Sequence, residues 1–184
     1  MERIYRELFQ NRIKNDTIII IRIREDNALY TGKYFIEKMG MVPHPEGGYY
    51  KENVKSDQNL TEERKLWSST YFLLKDRDFS AFHRLKSDEI WYYHSGTPLM
   101  VYIIKVNGEL EQVRLGLDIE RGEKPQILLP KGCIFGAIMD GTGYSLFSCM
   151  VSPGYDFDDF ELLSRDTLLE KYPQYAQIIR RLTR

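Results

Sequence analysis

Between residues 49 and 151 the sequence is a succession of short aromatic and β-branched segments, interrupted at near-regular intervals by Gly, Pro, Asn and Asp. Residues of this kind fit a pleated, half-buried surface, and many short strands separated by turn signals build a sandwich or a closed barrel. The segments fall at Tyr49–Val54, Leu66–Leu74, Phe79–Leu85, Glu89–His94, Leu99–Val106, Glu109–Leu115, Gln126–Leu129, Ile134–Ile138 and Tyr144–Val151. Asn107-Gly108 reads as a type I′ hairpin turn between two of them, because both residues tolerate positive φ. Helical spacing is confined to the flanks. Tyr34, Phe35 and Met39 predict a short helix over Thr31–Gly40 with Gly40 as its stop. Leu168, Leu169, Tyr172, Tyr175, Ile178, Ile179 and Leu182 predict helix over Arg165–Leu182, split at Pro173. The Pro43-His44-Pro45-Glu46-Gly47-Gly48 run cannot continue a helix and reads as an irregular, shaped loop.

At 184 residues with 42% hydrophobic content the chain suits one core. We assign residues 31–184 to a single domain that includes the C-terminal helices, and residues 1–30 to an extension whose structure the pattern leaves open. Lys plus Arg (26) nearly balances Asp plus Glu (27), so no global positive field draws nucleic acid or an anionic membrane. Ile18–Ile21 is far shorter than the roughly 20 residues that span a bilayer. Cys133 and Cys149 lack Cys-x-x-Cys spacing, which fits free thiols in a reducing, cytoplasmic compartment.

The chemistry concentrates in Ser80–Gly96. His83, Leu85 and Glu89, followed by Gly96, keep the frame in which a cupin strand carries His-x-His, then Glu, then Gly, with Leu85 where the second His belongs. Pro130-Lys-Gly132-Cys-Ile-Phe135 keeps the frame of the second cupin motif, with Phe135 in place of its His. Three further blocks, His44–Tyr50, His83–Leu85 with Asp88–Trp91, and Val151–Phe157, resemble the Cupin_5-like family of small, mostly uncharacterised cupins across about residues 31–165. That resemblance implies a mainly β fold, a double-stranded β-helix or jelly-roll barrel, with a short N-terminal helix and C-terminal helices. It also implies a homodimer and a pocket similar to that of nucleotide-sugar epimerases. Tyr92 stands where many members have His.

Alternation in the strands places His83 and Leu85 on one face, and Glu89, Trp91 and Tyr93 on one face of the next strand. An inward His and Glu in an apolar barrel are costly unless they serve something, so His83 and Glu89 are the catalytic candidates, against the plainer reading of a satisfied core pair. Glu46, Tyr71, Trp91, Tyr93 and Phe135 are the candidate ligand-binding residues. For Glu46 a surface cap or salt bridge is an equal alternative, and for the aromatic residues plain core packing. No metal site and no cofactor are expected, because His83 and Glu89 supply two ligands where a stable site takes at least three. His44 sits in a loop of unknown direction, and His94 falls opposite Glu89. The expected partner is a small organic, sugar-like ligand, with isomerase or epimerase chemistry. The alternatives are a metal-dependent oxygenase or isomerase using His83 and Glu89, and a non-catalytic binding dimer.

Overall fold

The computed structural model describes residues 30–184, and Gly32–Arg184 form one compact unit. The 1–30 extension therefore lies almost wholly outside the described residues. Among the described residues eleven strands make two antiparallel sheets. One runs β1 (Val42–Pro43), β2 (Tyr49–Lys55), β3 (Ser68–Lys75), β10 (Tyr144–Ser152), β5 (Asp88–Gly96), β8 (Gln126–Leu129). The other runs β11 (Glu161–Leu162), β4 (Phe79–Arg84), β9 (Ile134–Met139), β6 (Leu99–Ile104), β7 (Leu110–Leu115). Every strand except β1 and β11 lies in a segment read from the sequence, within a few residues at each end.

The inner faces of both sheets meet in one core. Phe72, Leu74, Trp91, Phe147 and Val151 come from the first sheet, and Leu99, Val101, Phe135 and Ala137 from the second. Outside the five-stranded sheet, α2 (Arg165–Lys171) and α3 (Ala176–Arg181) pack Leu168 and Ile179, with Tyr172 between the helices, on Phe82, Ile104 and Ile134. A 3₁₀ turn at Pro173–Tyr175 separates these helices where Pro173 removes a backbone donor. Outside the six-stranded sheet, α1 (Gly32–Met39) packs Phe35, Ile36 and Met39 near Leu73 and Leu146.

One expected turn differs. Gly108 N–H donates to Lys105 O, Gly108 has φ +88°, and Asn107 does not have positive φ. The loop is thus a three-residue connection ending in a left-handed glycine instead of a two-residue type I′ turn. Asn107 Oδ1 accepts from Glu109 N, so its side chain caps the loop without adopting the left-handed backbone.

The feature that matters most for the site is a bulge. In β4 against β9, Ser80 faces Ala137 and His83 faces Phe135, so Ala81 and Phe82 share the single partner Gly136. The extra residue changes the side-chain parity along β4. Ser80 and His83 both reach the interior side, while Phe82 between them joins the core beneath the C-terminal helices. A Cβ on Gly136 would lie 2.8 Å from Ser80 O and 3.2 Å from Phe82 N. Both are backbone atoms that cannot rotate away. Gly136→Ala is expected to cost roughly 1–3 kcal/mol in a chemical denaturation series, as other overpacking changes do, and to displace His83.

Candidate functional site

The loop between β1 and β2 leaves Pro45 exposed but turns Glu46 and Gly47 inward. His44 N–H donates to Gly48 O and Gly47 N–H to His44 O, while Ala81 N–H of the bulge donates to Glu46 O. Gly47 has φ +120°, and a Cβ there would meet Phe79 O at 2.1 Å, so only glycine lets the loop lie against β4. Glu46 is thereby driven into the barrel and is 4% exposed. Of its two sequence readings, the surface cap or salt bridge is excluded.

Inside, Ser80 Oγ donates to Glu46 Oε1 at 2.7 Å. Glu46 Oε2 lies 3.3 Å from His83 Nε2 and 3.5 Å from His44 Nδ1. His83 Nδ1 is 2.8 Å from Ala81 O. A carbonyl oxygen only accepts, so Nδ1 carries the hydrogen and Nε2 is left to exchange a proton with Glu46. The direct partner of His83 is thus Glu46, and not Glu89 as alternation alone suggests. Glu89 still acts on the imidazole through its charge: burial pushes the His83 pKa down, while Glu89 and the Ala81 carbonyl push it up. Burial likewise lowers His44, against the charge of Glu46.

Both glutamates move the other way. Burial raises Glu46 to about 7, against the charge of His44 and the Ser80 hydrogen bond. Burial raises Glu89 to about 7 as well, with His83 and Trp91 opposing and the charge of Glu46 reinforcing. Glu89 Oε2 and Trp91 Nε1 are buried without a hydrogen-bond partner. The indole is near enough to favour the charged carboxylate, yet outside hydrogen-bonding geometry.

These groups line a cavity of about 200 Å³ together with Tyr50, Glu52, Ser68, Thr70, Phe72, Leu85, Cys149, Val151, Tyr155 and Phe160. Of the residues singled out from sequence, His83, Glu89, Glu46 and Trp91 line it. Phe135 does not. It is 1% exposed, and its ring packs 4.2 Å from the imidazole of His83, so it backs the histidine as core. Tyr93 packs on the same core but away from the cavity, its hydroxyl donating to Gly96 O. Tyr71 lies on the outer face of β3, because Thr70 and Phe72 take the inner one; its ring is 5.9 Å from His94. His94 points outward too and pairs with Ser148 Oγ at 2.9 Å.

Sequence reasoning missed His44 and Phe160 as cavity residues. The rings of Phe160 and His44 lie 5.7 Å apart, and Phe160 lies 5.4 Å from His83. The signal for His44 was present in the rigid Pro-Glu-Gly-Gly loop that follows it. For Phe160, in an acidic segment after the last long strand, there was none.

The match to known proteins is decisive on kinship. Residues 33–163 match the family model described as Cupin superfamily (DUF985). The chain belongs to that cupin family. It is 48% identical to protein SO0799 from Shewanella oneidensis, whose solved structure superposes with a TM-score of 0.83 over 84% of this chain and 98% of that one. A hypothetical protein from Leishmania major is 38% identical with a TM-score of 0.78, over 84% of this chain and 99% of that one. The uncharacterized protein YML079W of Saccharomyces cerevisiae is 22% identical over 71% of this chain and 74% of its own length. Bacillus subtilis oxalate decarboxylase, at 18% identity and a TM-score of 0.52 over 76% of this chain and 36% of that one, shares the fold.

Many cupins hold a metal, and the donor set here does not fit one. Leu85 and Phe135 put hydrocarbon where two nitrogen ligands belong, and both are buried in the core. Among the described residues no group of three or more His, Cys, Asp or Glu side chains is arranged to hold a metal ion. His83 Nε2 is turned to Glu46 instead.

The raised glutamates set the pH dependence of this cupin. A carboxyl whose pKa rises on folding contributes stability that is present below its unfolded value and is lost as pH climbs to its folded one. For Glu89 that window runs from the ordinary value of 4.5 to about 7. Glu89→Gln removes the ionisation, so its melting temperature should exceed the parent's above pH 7 and match it near pH 5. The difference corresponds to on the order of 3 kcal/mol for a full shift. Thermal melts at the two pH values check it.

Proposed function

We propose that this cupin binds a small organic molecule, sugar-like in size, in its barrel and shifts a proton on it without a metal, as an isomerase or epimerase does. One observation carries the reading: Glu46 Oε2 stands 3.3 Å from His83 Nε2, whose other ring nitrogen is committed to Ala81 O. This is the arrangement of a base oriented by a fixed acceptor and tuned by a neighbouring carboxyl. Leu85 and Phe135, in place of two ligands, favour the metal-free version over the metal-dependent one.

The chemistry follows from the protonation states. The imidazole is depressed, so near neutral pH His83 is unprotonated at Nε2 and can accept a proton, while Glu46, raised to about 7, exchanges between its charged and neutral forms. Glu89, also near 7, spends part of its time protonated and holds that proton on a carboxyl with an unpartnered oxygen in the same cavity. A C–H bond next to a carbonyl breaks, its electron pair moving into the carbonyl to give an enolate and its proton passing to His83. Glu89 then returns a proton to carbon, and is reprotonated from water as His83 gives up the proton it took. Two titratable groups of matched acidity serve such a two-step transfer best near the pH at which both exchange. Phe72, Trp91 and Phe160 give the cavity its aromatic walls.

The test is to release the small molecules that co-purify with the protein, identify them by mass spectrometry, and return each in deuterated water. The expected result is enzyme-dependent exchange of a carbon-bound hydrogen, reduced by two or more orders of magnitude in His83→Asn and Glu46→Gln. Exchange that persists in both variants, or an absence of exchange with every co-purifying compound, overturns the catalytic reading in favour of a binding protein.

A further inference from the structure

Among the described residues three carboxylates line the cavity, Glu46, Glu52 and Glu89, and no lysine or arginine does. Glu52 is exposed and stands at the open end, whereas Glu46 and Glu89 are buried. Glu46 has its partners within the protein, the Ser80 hydroxyl and the His83 ring, while His44 Nδ1 accepts from the Glu46 backbone N–H. Glu89 does not: Oε2 has no hydrogen-bond partner although the residue is only 6% exposed.

The groups facing Glu89 supply no positive charge near neutral pH. His83 from β4 is held below its ordinary value by burial, and Glu46 from the β1–β2 loop is an acid. Cys149 from β10, with Cys133 and Tyr155, completes the titratable surroundings. Each of these three is pushed up by burial first and then by the glutamates' charge, Cys133 and Tyr155 to about 12. Their protons stay on, and the interior is a region of negative potential. An anion entering it meets repulsion with no compensating cation. A cation meets a carboxylate in need of a donor and the rings of Tyr50, Phe72, Trp91, Tyr155 and Phe160, whose faces attract positive charge.

Resting on the reading of the cavity as a small-molecule site, we infer that its ligand carries a positively charged amine, which donates to the Glu89 carboxylate within the aromatic walls, and that anionic compounds are rejected. The neutral histidines beside the site are consistent with this, since they leave the carboxylates' charge for the ligand. Glu89 must be ionised to receive an ammonium group, and where it does so the proton returns to carbon from His83 instead. Below about pH 7 the amine therefore has to displace a proton, and its affinity should fall by about tenfold per pH unit.

The experiment is calorimetric titration of the full chain with benzylamine, benzyl alcohol and benzoate, three probes of one shape and different charge. At pH 7.5 benzylamine should bind about tenfold or more tighter than benzyl alcohol, with no saturable binding of benzoate. Its advantage should shrink to about twofold in Glu89→Gln, and in the unmodified protein should decline with pH below 7. The pH series stands by itself if that variant folds poorly. Equal affinity for amine and alcohol, or tightest binding of benzoate, overturns the charge inference and leaves the small-molecule site standing. Failure of all three to bind at millimolar concentration overturns both.

Discussion

A carboxyl group taken out of water must be given hydrogen bonds or a proton, and in this barrel the group that forces the issue is Glu46. The loop that carries it must be short and tightly turned, which Gly47 permits, and must be tied to β4, which Ala81 N–H does by donating to Glu46 O. β4 in turn must present Ser80 and His83 to the same carboxyl although they are three residues apart. Only a change of parity allows that. The bulge opposite Gly136 supplies it, and sends Phe82 outward to join the core under the C-terminal helices. Loop and bulge thus meet at one buried acid, and the outer helices cover the other face of the same bulge at Phe82.

A consequence is that the cavity has two unlike acids. Glu46 is held by Ser80 and flanked by two imidazoles, one of which accepts from its backbone N–H, so it belongs to a connected hydrogen-bond network. Glu89 projects from β5 with one oxygen unpartnered, and burial alone is the main reason its pKa rises. The first is suited to tuning a base and the second to meeting a ligand. Where other cupins place further metal-binding nitrogens, Leu85 and Phe135 close the core, and His83 packs its ring on Phe135 instead.

Much of the fold was legible because the strand signals here are local. Period-two patterning with Gly and Pro breaks located the long strands, and Pro173 split the C-terminal helix as expected. The site was legible in part, and the failures share one cause. Alternation is a rule about regular strands, and the functional residues sit where the strands are irregular. His83 and Glu89 share the cavity, yet the bulge and the inward loop give His83 a different direct partner. Tyr71 was misplaced because which face of β3 looks inward is a matter of packing, and Phe135 because a position that is a ligand in other cupins becomes filler when it is hydrocarbon. Phe160 reaches the cavity from a segment without periodicity, which no local pattern can orient.

The account stands most directly on the coupling of His83 with Glu46, and nitrogen-15 and carbon-13 NMR of labelled protein through a pH titration addresses it. The account predicts that His83 is protonated on Nδ1 in its neutral form, that its midpoint lies below the ordinary value of 6.5, and that the Glu46 carboxyl titrates at about 7. A His83 proton on Nε2, together with a Glu46 carboxyl titrating near the ordinary 4.5, would contradict it.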